Sequence, residues 1–447
     1  MAFLACRALQ EIPEESAAVA AITKTRTLVR MTVIDSPLEA VIGQLYRTEY
    51  RRLYSTLVRL LGNFALAEDM LQEAFIAATQ QWPRTGLPDN PVAWLLTVAR
   101  NRGLDRLRRE RREVDLEEES LQEQEGFSYD PSFETELLED DRLRMIFTCC
   151  HPALAPEVQV ALTLREVCGL STEAIASSFL VQTSTMAQRI VRGKAKIKAA
   201  GIPYVVPEAD QLPERLESVL SVIYLVYTEG HHASSGENLF RVELSEEAIR
   251  LARLVLSLLP EPEVKGLLAL LLLTEARRPA RTDAVGNPIL LEEQDRRLWN
   301  QQHIEEGRAL LDATLAQGHL GPYLLQAAIA AVHAEAAEFA ATDWAQIVAL
   351  YDLLQRFTDS AIVALNRAVA VAMRDGPAAA VPILLSLLNK PELAQHYLAH
   401  AALADLYRRM QHFDAAAQAY RQALSLVQQE PDRRFLEKRL AEVSAQK

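Results

Sequence analysis

The sequence predicts an all-α protein, and two observations support this fold class. Apolar residues recur at helical spacing through most of the 447 residues, and alternating strand-like runs are almost absent. The second half is rich in Ala and Leu and contains pairs of helical segments separated by short turns. A chain of this length exceeds what one hydrophobic core supports, so we expect three or more compact units.

The composition indicates a soluble, cytoplasmic protein. Hydrophobic residues make up 49% of the chain, and the formal net charge is -13. The longest apolar stretch, residues 266–274, is too short to span a bilayer. Residues 1–37 form an extension without a signal-peptide pattern, and Met31 is a candidate start of the native protein. The four cysteines make no disulfide framework, which favours a reducing compartment.

Two helices are predicted in the first part of the chain. Residues 67–75, AEDMLQEAF, carry acids beside the apolar Leu71, Ala74 and Phe75, and the bland interpretation is a helix with a solvated acidic face. A second helix begins near Pro91 and carries seven arginines between residues 100 and 112. The acid-rich residues 113–136 that follow are typical of a solvated linker.

Residues 170–198 have the pattern of a helix-turn-helix. Ser171 is placed to cap a first helix with Ala174, Ile175 and Phe179 on its apolar side, and a second helix begins near Ser184. Helical spacing predicts an inward face made of Met186, Ile190, Gly193 and Ile197. No Asp or Glu occurs from residue 183 to 200, and charge of one sign facing outward favours a polyanion such as DNA over an ordinary solvated helix.

These segments together resemble a bacterial sigma factor of the extracytoplasmic-function group. The resemblance rests on residues 67–75, on residues 90–95 running into residues 99–101, and on the helix-turn-helix, in that order. It implies a protein that is not an enzyme, needs no cofactor and binds core RNA polymerase and promoter DNA. It also implies a region 2 domain at residues 38–112, a linker at 113–136 that threads a basic polymerase channel, and a region 4 domain at 137–203.

The resemblance assigns three sets of site residues. The polymerase-binding surface comprises Asp69, Gln72, Glu73 and Phe75. The minus-ten element is contacted by Val98, Ala99, Asn101, Arg102 and Arg106, with residues 83–90 as the loop that captures an unstacked base. The minus-thirty-five element is contacted by Ala187, Gln188, Val191 and Arg192, with Thr183, Ser184, Arg189 and Lys194 as phosphate anchors.

No catalytic or metal site is predicted. Cys149, Cys150 and His151 are adjacent, but neighbouring cysteines lack the gap that closes a tetrahedral metal site, so we expect buried residues at a helix end. A redox role for the pair is a minor alternative. Residues 229–232, EGHH, are predicted to form a surface turn.

Residues 213–447 are predicted to form a helical array similar to tetratricopeptide repeats. The clearest unit is residues 400–431, a looser copy lies around residues 366–385, and residues 327–354 supply a further helix pair. Residues 279–299 look like an ordered loop. Helical arrays bind peptides or proteins on concave surfaces, so a regulatory partner is the functional interpretation, and a passive scaffold is the alternative.

Two other functions remain open from the sequence. The chain is alternatively a repeat-containing DNA-binding regulator that never docks on core polymerase, and the surface at residues 69–75 discriminates the two. An adaptor with a vestigial DNA-binding half would lose no function when Asn101 and Arg192 become Ala.

Overall fold

A computed structural model describes residues 37–114, 134–179 and 181–446. These residues form helices joined by turns and contain no β-strand, which confirms the predicted fold class. None of the helices in the described ranges has the length and apolar character needed to cross a bilayer. The described chain divides into two compact units. The amino-terminal unit runs to residue 175 and resumes at residues 184–219, and the carboxy-terminal unit comprises residues 176–183 and 220 onward.

The first seven helices make up most of the amino-terminal unit. They are α1 (Pro37–Leu61), α2 (Phe64–Thr85), α3 (Pro91–Val114), α4 (Glu134–Cys149), α5 (Pro156–Leu162), α6 (Thr172–Ser178) and α7 (Thr183–Ala199), with a π-turn at Thr163–Val167 after α5. Apolar stripes at helical spacing on α1 to α4 meet in one core, in which Leu53, Leu71, Leu95 and Ile146 are fully buried. Asn63 starts α2 by accepting hydrogen bonds from the backbone N–H groups of Ala65 and Leu66.

The remaining helices belong to the carboxy-terminal unit, whose boundary falls inside α8. They are α8 (Leu212–His231), α9 (Val242–Leu258), α10 (Pro262–Glu275), α11 (Gln301–Leu315), α12 (Pro322–Glu335), α13 (Trp344–Leu354), α14 (Ala361–Asp375), α15 (Pro377–Leu387), α16 (Pro391–Ala394), α17 (Tyr397–Arg409), α18 (Phe413–Leu426) and α19 (Glu430–Ser444).

Helix α10 is the centre of the carboxy-terminal unit. It is apolar on all sides and packs against α9, α11 and α12, as a helix without a polar face must. Gly266 lets α12 approach, because a Cβ at this position would lie 2.8 Å from the backbone nitrogen of Leu324. Glu263 of α10 accepts hydrogen bonds from the N–H groups of Tyr323 and Leu324 and so caps α12.

The last helices stack as antiparallel pairs, as the spacing predicted. The pair α17 and α18 turns at Gln411, whose φ is 60°, and buries Ala404, Ala416, Tyr420 and Ala423 between its helices. The pair α14 and α15 turns at Gly376, whose φ is 93°. Residues 279–299 form short 3-10 turns, in agreement with the expected ordered loop.

The prediction for residues 229–232 is wrong, because these residues lie in the interior at the end of α8. Glu229 and His231 are 9% and 1% exposed, and a Cβ on Gly230 would lie 2.3 Å from the backbone nitrogen of Ser245. The His231 ring contacts the hydroxyl of Tyr227 and a carboxylate oxygen of Glu275. These polar residues therefore belong to a buried hydrogen-bonded cluster, and some of their partners come from helices that are distant in the sequence.

Candidate nucleic-acid interface

The exposed edge of α2 is the candidate surface for a protein partner. Asp69, Gln72 and Glu73 lie on this edge, and Ile76 follows one turn later with 56% of its surface exposed. Single exposed apolar side chains are normal on a protein surface, so Ile76 marks this edge only together with its acidic neighbours. The sequence interpretation missed Ile76, although its position four residues after Gln72 places it on the same face.

Phe75 does not belong to this surface. It is 6% exposed and packs its ring against Tyr46 and Tyr50, with ring centroids 5.2 Å and 6.0 Å away. The same packing raises the pKa of the Tyr50 hydroxyl to about 12, chiefly through burial and then through the charge of Glu68. In this conformation Phe75 therefore packs beneath the edge, and a direct contact between its ring and a partner stays a prediction.

The predicted DNA-contacting residues of α3 differ in how exposed they are. Ala99 is fully buried, so its side chain is not accessible to DNA in this conformation. Val98 is half-buried, whereas Asn101, Arg102 and Arg106 are exposed. The helical period explains the difference, because Ala99 shares the inward face with Leu95 and Leu96, and Asn101 lies on the opposite side.

The acidic edge of α2 and the basic face of α3 lie side by side. Arg102 donates to Glu73 over 3.1 Å, and Arg106 lies 3.8 Å from Asp69. All four side chains are between 42% and 57% exposed, so these ion pairs contribute little stability and their groups are available to other partners.

The predicted base-capturing loop is shorter than expected. Pro83 and Thr85 belong to the end of α2, which leaves residues 86–90 as the loop. Trp82 is 2% exposed and lies edge-to-face against Trp94, with ring centroids 5.3 Å apart. Trp82 is therefore not accessible to a base in this conformation. Within the loop, Leu87 has an exposed apolar side chain.

The helix-turn-helix has the predicted helices. Ser171 accepts a hydrogen bond from the backbone N–H of Ala174 over 3.1 Å and caps α6. The inward face of α7 is the predicted one, made of Met186, Ile190, Gly193 and Ile197. One detail of α6 is wrong: Ala174 is exposed, and Ala176 is buried beside Ile175.

The outward residues of α7 differ in how accessible they are. Gln188, Val191 and Arg192 are exposed, and Ala187 is half-buried. Among the predicted phosphate anchors, Thr183 and Ser184 are exposed, Arg189 is half-buried, and Lys194 lies 2.9 Å from the carboxylate of Glu166. In this conformation Lys194 is engaged by Glu166, and its assignment as a phosphate anchor stays a prediction.

Three family models match parts of the chain. Sigma-70 region 2 matches residues 45–113, sigma-70 region 4 matches residues 144–197, and a family of unknown function matches residues 215–315. A Rhizobium meliloti protein described only as uncharacterized is 43% identical over 399 residues, which cover 87% of this chain and 93% of that protein.

Characterised relatives extend the comparison. The ECF RNA polymerase sigma factor SigE of Mycolicibacterium smegmatis is 31% identical over 157 residues, or 35% of this chain and 59% of the relative. The probable ECF RNA polymerase sigma factor SigI of Mycobacterium tuberculosis is 28% identical over 165 residues, or 36% of this chain and 56% of the relative. The chain therefore carries sigma-70 region 2 and region 4 and is similar to extracytoplasmic-function sigma factors. It matches less than two thirds of the length of these two sigma factors, and no solved structure is significantly similar to it.

In this sigma-family chain the region 2 and region 4 modules pack against each other within the amino-terminal unit. Glu166 of the π-turn in region 4 is 2% exposed and accepts a short hydrogen bond from the hydroxyl of Tyr54 on α1. Lys194 completes the contact from α7, and its Nζ lies 5.4 Å from the centroid of the Phe64 ring at the start of α2. The recognition helix of region 4 is therefore tied to region 2 through one buried carboxylate.

A second buried carboxylate strengthens the same junction. Asp141 of α4 is fully buried and accepts hydrogen bonds of 2.6 Å from both Arg59 of α1 and Arg144. The hydroxyl of Tyr204 lies 3.0 Å from the carbonyl oxygen of Ser55 and 3.1 Å from that of Asp141. Neither carboxylate stands out in the sequence, because both occur in segments with other charged residues and their partners lie far along the chain.

The cysteine pair lies in the interior at the end of α4, as expected. Cys149 and Cys150 are 0% and 1% exposed, and burial raises the pKa of the Cys150 thiol to about 12 and that of Cys149 well above its usual range. A thiol that stays protonated at neutral pH is a poor nucleophile and a poor metal ligand. Across the described ranges, no three His, Cys, Asp or Glu side chains are grouped as a metal site.

The predicted linker, residues 113–136, lies mostly outside the described residues, as do residues 1–36 and Leu180 in the turn of the helix-turn-helix. The proposed channel role of the linker and the start at Met31 therefore stay predictions.

Proposed function

We propose that this protein binds core RNA polymerase and directs it to promoter DNA. The observation that carries the proposal is the arrangement on the region 2 module, where an exposed acidic edge on α2 adjoins an exposed basic face on α3. An acidic edge with a central apolar residue suits a basic protein surface, and it repels DNA phosphates. Arginines and Asn101 one helix away suit nucleic acid.

The polymerase surface is proposed to consist of Asp69, Gln72, Glu73 and Ile76. Relative to the sequence-based set, Ile76 replaces Phe75 because its side chain is the exposed one. The ion pairs that Asp69 and Glu73 make with α3 are weak and solvent-accessible, so a partner displaces them at small cost.

The DNA surface is proposed to have two parts. Asn101, Arg102 and Arg106 contact the minus-ten element, and the exposed Gln188 and Arg192 read base edges of the minus-thirty-five element from the major groove. Asn and Gln pair bidentately with adenine, and Arg pairs with guanine. Val191, 65% exposed, suits a contact with a thymine methyl group.

Promoter recognition requires the two modules to separate. The elements lie about 25 base pairs apart, or roughly 85 Å along B-DNA. A compact unit of fewer than 200 residues has a radius of gyration of about 16 Å and cannot reach both elements at once. We therefore propose that the packed arrangement is a resting state, and that polymerase binding opens the contacts at Glu166 and Asp141.

For the carboxy-terminal unit we propose regulation of this activity through a protein or peptide partner. Its support is the stack of helix pairs from α12 to α19, a type of architecture that offers long surfaces to other chains. Deleting residues 213–447 should change promoter-directed transcription if the unit regulates, and should leave it unchanged if the unit is a passive scaffold.

The affinity of the full-length chain for purified core RNA polymerase tests the first proposal. A variant with Gln72, Glu73 and Ile76 changed to Ala should bind at least tenfold more weakly than wild type. The matched control changes Gln317, Glu338 and Leu320 to Ala, since Leu320 is also 56% exposed but lies in the other unit. Equal binding by both variants would refute the proposed surface, and absence of binding by wild type would favour a DNA-binding regulator that does not dock on polymerase.

A further inference from the structure

Arg277 is a buried cation without an anionic partner. It follows α10, is 8% exposed, and makes no side-chain hydrogen bond or ion pair with any residue in the described ranges. Its Nε atom is among the buried polar atoms that lack a partner. The contact that the guanidinium does make is with an aromatic ring, since its Cζ lies 5.4 Å from the centroid of Trp299.

The groups around Arg277 are cations and hydrogen-bond donors. The Cζ of Arg296 lies 4.6 Å from the same Trp299 ring. Arg296 uses Nη1 to donate to the carbonyl oxygens of His333 and Ala336, at 2.5 Å and 2.6 Å, and its Nη2 is buried without a partner. The indole Nε1 of Trp299 is also buried and has no hydrogen-bond partner in the part of the chain that the structure describes.

Among the residues that the structure describes, no carboxylate compensates this charge. The groups that act electrostatically on Arg277 are Arg281, Arg296 and the Tyr227 hydroxyl. The carboxylate of Glu275, at the end of α10, is already engaged by Ser245, Tyr227, His231 and Arg278. Burial, followed by the two neighbouring arginines, lowers the pKa of Arg277 to about 9, so the side chain remains charged at neutral pH.

A buried charge of this kind is costly, because transfer from water to the interior is offset only by a counter-charge and hydrogen bonds. A stacked arginine can use the ring face for part of this compensation, but its N–H donors lie in the plane of the guanidinium, and the buried Nε donor of Arg277 stays unsatisfied. Those coplanar donors match two oxygens of one carboxylate or phosphate group.

We propose that Arg277, Arg296 and Trp299 form a binding site for an oxyanion, a carboxylate or phosphate group, inside the carboxy-terminal unit. Arg277 grips the anion through its unused N–H groups. The free Nη2 of Arg296 and the indole N–H of Trp299 are the further donors. This site would make the carboxy-terminal unit respond to a small acidic ligand, and it does not depend on how the protein meets polymerase or DNA.

The site is tested by calorimetric unfolding of the full-length protein after exhaustive dialysis into an amine buffer with chloride. Inorganic phosphate and acetate are then titrated separately, each against sodium chloride at equal ionic strength. Wild type should show a rise in the melting temperature of the carboxy-terminal transition of about 5 °C at a hundredfold excess over Kd. A response to phosphate alone would assign a phosphoryl ligand, and a response to acetate alone a carboxylate.

Two variants make the test specific. Arg277→Met should abolish the response and, by removing an uncompensated charge, should melt above wild type in chloride alone. Arg297→Met is the matched control, since Arg297 is 89% exposed, pairs with Asp295 and should respond as wild type does. A wild-type shift no larger than that of Arg277→Met with either anion would overturn the proposal. If Arg277→Met does not fold, isothermal titration of wild type decides, and absence of binding heat with both anions overturns it.

Discussion

The buried carboxylate that joins the two sigma modules gives a prediction with a calculable size. Lys194→Met removes the ion pair of Glu166, which is 2% exposed, and leaves the carboxylate in the interior. Breaking a buried pair from one side costs about 3–5 kcal/mol. We expect about 3 kcal/mol here, the low end of that range, because Tyr54 still donates to Glu166 and Lys194 is already 23% exposed.

The partner substitution supplies the internal check. Glu166→Gln keeps an oxygen for the Tyr54 hydroxyl but loses the charge, so it should cost about 1–2 kcal/mol. In the double variant no charge is stranded, and it should therefore be more stable than Lys194→Met alone. Lys196→Met, at an exposed site two residues further along α7, should change stability by less than about 0.5 kcal/mol.

Peptide-resolved hydrogen exchange on the full-length protein is the assay, because a chain with two units does not unfold in one step. Peptides from α1 and α7 should exchange faster in Lys194→Met and recover in the double variant. Identical exchange in wild type and Lys194→Met, or a double variant no better than Lys194→Met, would refute the inference that Glu166 holds the modules together.

Two further predictions concern the carboxy-terminal unit, and the first has a matched control in the amino-terminal unit. Gly266→Ala should lower stability by about 1–3 kcal/mol, because its Cβ would lie 3.0 Å or less from two backbone atoms of Leu324. Gly43→Ala, in α1 with its nearest contact at 3.6 Å, should instead stabilise by about 0.5–1 kcal/mol, and thermal melting distinguishes the two. Burial, with nearby arginines, holds the pKa values of His231 and His333 well below the usual range. Below pH ~6.5 these two histidines bind protons in the unfolded chain but not in the folded unit. The free energy of unfolding should therefore fall by up to about 2.7 kcal/mol per pH unit, or about 1.36 kcal/mol for each histidine. Three buried carboxyls have raised pKa values, so the folded unit binds their protons at a higher pH than the unfolded chain does. As the pH falls towards the carboxyl range, they partly offset the loss of stability: Glu229, Glu263 and Glu275. A melting temperature that does not change from pH 7.5 to 5.5 would contradict the conclusion that His231 and His333 are buried in the neutral form.

The sequence predicted the recognition helix well because α7 has one apolar face. Met186, Ile190, Gly193 and Ile197 follow a single helical stripe, so their burial and the exposure of Gln188 and Arg192 both follow from the period. The stacked pairs of the carboxy-terminal unit were predictable for the same reason.

Region 2 was harder because α2 and α3 each bury a wide part of their surface. Phe75 and Ala99 are buried in the free chain, but the sequence alone does not show how far the apolar face of each helix extends. Glu166, Asp141 and His231 were missed for a different reason. A buried polar group depends on partners from distant helices, and local sequence assigns such residues to the surface.

The central claim is that the chain directs core RNA polymerase to a two-part promoter. The direct measurement is transcription in vitro from fragmented genomic DNA by core polymerase with the full-length chain, followed by sequencing of transcript starts. We predict new starts that share an upstream and a downstream element. Gln188→Ala with Arg192→Ala should relax or remove the upstream element, and Asn101→Ala should affect the downstream one. Starts identical to those of core polymerase alone, or unchanged in all variants, would contradict the account.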